Sequence, residues 1–299
     1  IAWVGHAAAF AVTHGCRVTC CVRPALIPLL SAAGPGVSLL PTTEIDPARF
    51  YATYKVLIFY DDRENSWSPC DYRQVGLCNI AAYILGLPPM ERRPAIAIEA
   101  GGPPIAEPYV CIATQATSQN KHWNNPSGWR DVVGFLRRHG YRVVCIDKEM
   151  AHDHALEWTH LAHGAEDLTG DRPLTERARW LHHAAFFVGL SSGLSWLAWA
   201  AGCPVVLISG FTHPLNEFAT PHRVINWHVC NSCSNDVRHR LDPGDFLWCP
   251  RQGGTARQFE CTRLITASAV IDAIRCVPDF ARKALLKSGM NTTRTRIIW

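Results

Sequence analysis

The sequence predicts an α/β protein of two halves, each built on a parallel sheet. Short apolar segments alternate with helical patterns, as where Arg17–Val22 is followed by Ala25–Ala33. A Gly-Gly-Pro-Pro run at 101–104 has the composition of a linker, and Pro108–Thr114 then opens a second, similar series. We therefore predict an N-terminal domain, 1–104, a C-terminal domain, 105–276, and a tail of unassigned role, 277–299.

The first domain contains three predicted helices and four predicted strands. The helices are Ile1–His14, Ala25–Ala33 and Val75–Leu85, and the strands are Arg17–Val22, Val37–Leu40, Tyr54–Tyr60 and Ala95–Glu99. Acidic residues Asp61 and Asp62 end the third strand, at the position where parallel sheets keep their sites. Asp71 and Arg73 precede the third helix and either pair with each other or line a cleft.

The second domain repeats the pattern. Its predicted strands are Pro108–Thr114, Arg142–Ile146, Ala184–Val188 and Val205–Ser209, and its predicted helices are Trp129–His139, Leu174–His183, one beginning at Leu194, and Ala267–Ile274 with Thr266 as its cap. Between them lies a polar stretch with His152, His154, His160 and His163. Clustered histidines can bind a metal, but their irregular spacing and the nearby acids favour a mobile loop.

The most informative stretch is Phe186–Gly202, FFVGLSSGLSWLAWAAG, in which a strand, a tight turn and a helix follow one another. Ser191, Ser192 and Gly193 form the turn. The first N–H groups of a helix have no partner within it, and small residues let an anion such as a diphosphate approach the backbone. The alternative is an ordinary strand-to-helix turn capped by Ser192, because the stretch is neither a Walker loop nor a full dinucleotide fingerprint.

A second candidate for phosphate binding follows the first strand of the C-terminal domain. Thr117, Ser118 and Lys121 lie in this loop, where hydroxyl groups and an ammonium could hold phosphate oxygens. A solvated loop without a ligand is the alternative.

Four of the thirteen cysteines lie in one polar segment, 228–262. Cys230 and Cys233 form a CxxC pair, and Cys249 and Cys261 follow at longer intervals. The segment has few core candidates, so four thiolates around one tetrahedral cation would organise it better than apolar burial. These residue types favour a zinc or single-iron site, the alternative being four unrelated thiols. Four protein ligands would leave no open position for a substrate, so we expect such a site to be structural rather than catalytic.

Composition narrows the class of protein. With 48% hydrophobic residues and a net charge of +4, the 299-residue chain has the character of a globular protein without a nucleic-acid partner. No apolar run approaches the ~20 residues that cross a bilayer, and no signal peptide opens the sequence. We therefore predict a cytoplasmic protein without a membrane span. The odd number of cysteines argues against a disulfide framework.

Two such domains, with phosphate-binding features in the second, describe a GT-B glycosyltransferase, in which two Rossmann-like domains face a cleft. The motifs ATSQNKHWNNPSGWRDVV, GAEDLTGDRPLTERARWL and FFVGLSSGLSWLAWAAGCPVVLISGFTHPLNEF, and the cysteine segment from NSC through FLWCP to FECTRLIT, resemble those of bacterial autotransporter heptosyltransferases. The resemblance extends to about Cys276. It implies a four-cysteine metal finger inserted in the C-terminal domain.

The resemblance also implies an activity. Members of this family transfer heptose from ADP-heptose to serine residues of an autotransporter adhesin, hold an iron ion in the finger and assemble into a dodecamer. The matching positions imply phosphate, sugar or backbone contacts for Thr117, Lys121, Ser191, Ser192 and Gly193. Related lipopolysaccharide enzymes carry Asp in place of Ser191. We expect the catalytic aspartate upstream of Ile1, in a segment missing from this sequence, and hence little transfer by this chain.

Two alternatives remain open at this point. One is a lipopolysaccharide-type heptosyltransferase, which the cysteine finger and the lack of a basic amphipathic membrane face disfavour. The other is a non-catalytic, oligomerising module that binds a nucleotide sugar.

Overall fold

The computed structural model of the protein describes residues 1–56, 68–149, 151–154, 157–278 and 280. The α-helices are α1 (Val4–His14), α2 (Ile27–Leu30), α3 (Tyr72–Ile84), α4 (Gly128–Arg138), α5 (Leu174–His183), α6 (Gly193–Ala200), α7 (Glu260–Arg263) and α8 (Ala267–Arg275). The strands are β1 (Val18–Val22), β2 (Val37–Pro41), β3 (Tyr109–Ile112), β4 (Arg142–Cys145), β5 (Ala151–His154), β6 (Glu157–His160), β7 (Glu166–Asp167), β8 (Phe187–Leu190), β9 (Val205–Ile208) and β10 (His222–Val224).

The second half of the chain is built on a six-stranded parallel sheet with the order β10-β9-β8-β3-β4-β7. From β3 the chain first adds β4 and β7 on one side, and it then returns to place β8 on the other side. The strand order therefore reverses between β3 and β8. In open parallel sheets such a reversal leaves a crevice at the carboxyl ends of the strands, where ligands bind.

Helices cover both faces of this sheet. Side chains of α4 and α8 pack on one face, and side chains of α5 and α6 pack on the other. Strands β3, β8 and β9 are buried along their whole length, as expected of parallel strands covered on both sides. The predicted α/β class and the predicted strands and helices of this half are confirmed, with ends that differ from the predicted ones by at most three residues.

The first half contains a smaller sheet. Strands β1 and β2 pair in parallel, with Val18 opposite Val37, and α1 and α2 pack against them around Val4, Leu30 and Ala33. The predicted strand Tyr54–Tyr60 and the acidic pair Asp61 and Asp62 lie partly or wholly outside the described residues. The same holds for nearly all of the predicted tail, 277–299. The division into domains at residue 104 stays a prediction.

Helix α3 begins three residues before the predicted start and contains a break. Gly76 has φ 81° and ψ 167°, a conformation that favours glycine. A Cβ at this position would lie 1.9 Å from the carbonyl oxygen of Leu215. The break therefore lets a loop of the second half approach the backbone of α3.

Two further predictions are wrong. Residues Ala95–Glu99 form no strand; the N–H of Ala97 donates to Leu29 in α2 at 2.7 Å, and the N–H of Glu99 donates to Thr175 in α5 at 3.3 Å. The extended segment thus connects helices of the two halves. The histidine-rich stretch is not simply a mobile loop, because β5 and β6 pair there as an antiparallel hairpin.

None of the helices in the described part of the chain has both the length and the apolar character needed to cross a bilayer.

Candidate functional site

The two segments predicted to bind phosphate follow β3 and β8, the neighbouring strands between which the order of the sheet reverses. The loop after β3 carries Thr117 and Lys121, and the turn after β8 carries Ser191, Ser192 and Gly193. The helices that follow these two loops, α4 and α6, lie on opposite faces of the sheet. The two loops therefore lead away from each other, and a crevice lies between them. We call these five residues the switch-point site.

Lys121 is the cation of the switch-point site. It ends a short 3-10 helix, Gln119–Lys121, and its Nζ lies 3.3 Å from the Oγ1 of Thr117 and 5.7 Å from the centre of the Phe211 ring. Burial lowers the pKa of Lys121, while the charge of Glu217 acts in the opposite direction. A partly desolvated ammonium beside a hydroxyl group is suited to binding phosphate oxygens.

The turn after β8 brings a hydroxyl network and a helix start to the same place. The buried Ser191 hydroxyl contacts the Oγ1 of Thr212 and the carboxylate of Glu217. Ser192 precedes α6, but its hydroxyl makes no capping hydrogen bond, which argues against the alternative of an ordinary turn capped by this side chain. The Ser192 Oγ is buried and has no partner among the described residues.

Gly193 is the first residue of α6. A Cβ built on Gly193 would meet no atom of the described chain within 4 Å, so the space beside it is open to a ligand. The unpaired N–H groups at the start of α6, together with the unpartnered Ser192 hydroxyl, favour an anion there.

Glu217 is the main residue of this site that sequence analysis missed. It lies in the loop after β9, with one carboxylate oxygen on Ser191 and the other 2.6 Å from the Nη1 of Arg223. Its side chain is 3% exposed. The sequence offers one signal for Glu217, an acidic residue in a loop after a parallel strand. Its contact with Ser191 could not be predicted, because the two residues lie far apart in the chain.

Asp71 and Arg73 form an ion pair with each other. The Nη2 of Arg73 lies 2.6 Å from the Oδ2 of Asp71, and the Nε of Arg73 lies 3.0 Å from each oxygen of that carboxylate. Burial tends to raise the pKa of Asp71, but the hydrogen bonds from Arg73 outweigh it and lower the pKa. The pairing alternative is therefore confirmed.

The segment 228–262, here named the cysteine segment, contains no β-strand. Its helical parts are a 3-10 turn at Cys233–Asn235 and the start of α7. Burial and the neighbouring Cys230 raise the pKa of Cys233 to about 12, and burial, Cys249 and Cys230 raise the pKa of Cys261 to about 12. The four thiols are thus near enough to disfavour one another's ionisation.

This mutual effect fits a cation-binding donor set, because a cation would offset the repulsion among the thiolates. In the described part of the chain, however, no three metal-binding side chains are grouped closely enough to form a site as they stand. The predicted finger therefore stays a proposal. Four thiol ligands suit zinc or iron equally well by type.

Comparison with known proteins decides the family. The model of glycosyltransferase family 9 (heptosyltransferase) matches residues 88–242. Autotransporter heptosyltransferase Aah of Escherichia coli is 48% identical over 281 residues, which are 94% of this chain and 71% of that protein. The chain belongs to glycosyltransferase family 9. The predicted resemblance to autotransporter heptosyltransferases is confirmed.

Two further relatives of this family-9 chain bear on its structure and activity. The crystal structure of TibC, described as a dodecameric iron-containing heptosyltransferase in complex with ADP-D-beta-D-heptose, superimposes with a TM-score of 0.87 at 45% identity, covering 92% of this chain and 72% of TibC. The α/β fold of GT-B type is therefore shown. BimC of Burkholderia thailandensis, named an inactive autotransporter heptosyltransferase, is 45% identical over 281 residues, 94% of this chain and 66% of BimC.

Proposed function

We propose that the chain belongs to an enzyme that transfers heptose from ADP-heptose to serine residues of an autotransporter adhesin passenger, by direct displacement with inversion. We expect little transfer by the chain itself, because none of its described site residues is assigned as the general base. The observation that carries this proposal is the position of the Lys121 loop and the Ser191–Gly193 turn after the neighbouring strands β3 and β8, in a chain of the heptosyltransferase family. The similarity to TibC, which was crystallised with an ADP-heptose, supports the choice of donor.

The proposed roles follow from the contacts. Thr117 and Lys121 bind the diphosphate from the β3 side. The Ser192 hydroxyl and the N–H groups at the start of α6 bind it from the β8 side. The acceptor serine attacks the anomeric carbon, its proton passes to a general base, and the bond to the diphosphate breaks. The donors around the diphosphate stabilise its growing charge by ~3 kcal/mol for each well-placed group.

We also propose that Cys230, Cys233, Cys249 and Cys261 bind one structural iron ion, with zinc as the alternative metal, and that the chain forms a homo-oligomer. TibC is described as iron-containing and dodecameric, and the donor set of this chain fits such a metal by residue type. The metal would hold the cysteine segment and would take no part in the transfer.

The first test is the affinity for ADP, measured by isothermal titration calorimetry. Lys121→Met removes the charge while keeping much of the apolar stem, and we expect ADP to bind at least tenfold more weakly, because a partly buried cation on a phosphate contributes about 1.5–3 kcal/mol. The matched control is Lys55→Met, at an exposed lysine of the first half, which should bind ADP like the unchanged chain. Equal affinities for both variants would remove Lys121 from the site.

A second candidate function is a non-catalytic module that binds the nucleotide sugar, and the inactive relative BimC favours considering it. Incubation with ADP-heptose and a serine-rich adhesin fragment, followed by intact mass spectrometry, separates the two. A ladder of added heptose residues supports transfer and contradicts the expectation that this chain transfers little. ADP-heptose binding without any added mass agrees with that expectation and leaves binding of the nucleotide sugar as the function of this chain.

A further inference from the structure

A buried carboxylate stands behind the switch-point site. Glu217 is 3% exposed in its side chain, and both of its oxygens have partners. One oxygen accepts from the Ser191 hydroxyl, and the other accepts from the Nη1 of Arg223 at 2.6 Å. Burying a carboxylate is costly unless it is paired, so Arg223, itself 9% exposed, balances its charge.

The contact fixes the direction of the hydrogen bonds around Ser191. An ionised carboxylate can only accept, so the single hydroxyl proton of Ser191 is committed to Glu217. Thr212 must then donate to Ser191 in the second contact of this hydroxyl. One lone pair of the Ser191 oxygen remains, and it can accept a hydrogen bond but cannot donate one.

An acceptor at this point discriminates between the parts of a nucleotide sugar. A phosphate oxygen needs a donor, whereas a sugar hydroxyl can donate to the free lone pair. We propose that Glu217 is a positioning residue that turns Ser191 into an acceptor for a hydroxyl group of the donor sugar. The diphosphate is left to Lys121 and the start of α6. This inference rests on the proposed binding of a nucleotide sugar at the switch-point site.

The contacts also explain how a serine can serve at this turn, where related lipopolysaccharide enzymes carry Asp. The negative charge lies on Glu217, behind the Ser191 hydroxyl, and Arg223 neutralises it. Lys121 senses the same charge, which opposes the effect of burial on its pKa. The carboxylate is therefore placed to orient the sugar side of the site without standing directly beside the diphosphate.

The test compares two ligands on the full chain, ADP-heptose and ADP, by calorimetry. In Glu217→Gln the side-chain amide can donate to Ser191 and lead its hydroxyl to point elsewhere. We expect ADP-heptose to bind about fivefold more weakly, because the hydrogen bond from the sugar hydroxyl to Ser191 is lost, while the affinity for ADP changes less than twofold. The matched control is Glu176→Gln, in the surface pair with Arg172, which should change neither affinity.

Two further variants keep the test decisive. Ser191→Ala removes the acceptor without disturbing the Glu217–Arg223 pair, and it should show the same loss for ADP-heptose alone. The double variant Ser191→Asp with Glu217→Gln returns a carboxylate acceptor to the turn and should recover most of the affinity for ADP-heptose.

The outcomes separate the two levels of inference. If the unchanged chain binds neither ligand, the proposed function fails. If the unchanged chain binds both, and Glu217→Gln and Ser191→Ala weaken ADP and ADP-heptose equally or not at all, the role of Glu217 is wrong while the proposed function stands.

Discussion

The switch-point site and the cysteine segment lie in the same half of the chain but are held in different ways. The switch-point site follows strands β3 and β8, which are buried along their whole length. The cysteine segment has only a small apolar cluster, formed with Phe211 around Cys233 and Trp248. Its other fixed contacts are polar, such as the pairs of Asp236 and Glu260 with arginines.

The difference shows which region is held in place by its own apolar core. Burial of apolar strands fixes the sheet, whereas partly exposed ion pairs contribute little. Yet the phosphate loop of the switch-point site is hydrogen-bonded to the cysteine segment. The N–H of Gln119 donates to the carbonyl of Phe246 at 2.9 Å, and the side-chain amide of Asn120 donates to the carbonyl of Trp248 at 2.8 Å. The cysteine segment therefore helps to hold the loop of Lys121 in place.

The largest expected effect comes from breaking the cysteine segment. Cys233→Ser should abolish stoichiometric metal binding, measured by plasma mass spectrometry, because a tetrahedral site loses one of four ligands. It should also weaken ADP binding more than tenfold, since Phe246 and Trp248 then no longer hold the loop of Lys121.

The control for this variant is Cys203→Ala, at a buried thiol beneath the sheet, which should retain the metal. Full metal content in Cys233→Ser would show that the four thiols are not the ligands. Loss of metal with unchanged ADP affinity would show that the two regions are independent.

The second largest effect is expected from a substitution in the core beside the sheet. Phe186 is fully buried and packs beside Tyr141 and Phe280. Phe186→Ala should lower the free energy of unfolding by about 3–5 kcal/mol, measured by chemical denaturation, because it leaves a cavity in the core. The metal content of the folded fraction should stay unchanged. Tyr51→Ala, at an exposed aromatic residue, is the control and should cost less than about 0.5 kcal/mol. A parallel loss of metal in Phe186→Ala would mean that the sheet and the cysteine segment unfold together.

Local patterns predicted most of the fold. The helical pattern over Leu174–His183 predicted the bounds of α5, and the cap Thr266 marked the start of α8, because in both cases the signal lies in or next to the element itself. The strand predicted at Ala95–Glu99 failed since the backbone partners of that segment lie in two helices rather than in a neighbouring strand. An apolar alternation cannot reveal which partner an extended chain finds.

The residues of the switch-point site likewise divide into those that local patterns predict and those that only the fold reveals. Thr117, Lys121 and Ser191–Gly193 were predictable because each follows a buried strand in sequence. Glu217 was not, because its partner Ser191 lies on another loop and the contact exists only once β8 and β9 are neighbours. The support of Asn120 by Trp248 likewise joins residues that only the folded chain brings together.

The smallest expected effect is at the junction of the two regions. Asn120→Ala removes the side-chain donor to Trp248 and the acceptor of the Ser118 hydroxyl, but it changes none of the four cysteines, so the metal content should stay unchanged. Because one buried hydrogen bond contributes about 1 kcal/mol, we expect ADP to bind roughly fivefold more weakly. The measurement is again calorimetry with ADP.

Asn125→Ala is the matched control for this junction. Asn125 also donates to a backbone carbonyl, that of Arg263 at 3.3 Å, but it lies beyond the loop of Lys121. Its removal should leave the affinity for ADP unchanged. If Asn120→Ala and Asn125→Ala weaken ADP binding equally, the effect is general to the packing of this surface. A selective loss in Asn120→Ala would place the support of the phosphate loop in the cysteine segment, because only that variant cuts the contact between them.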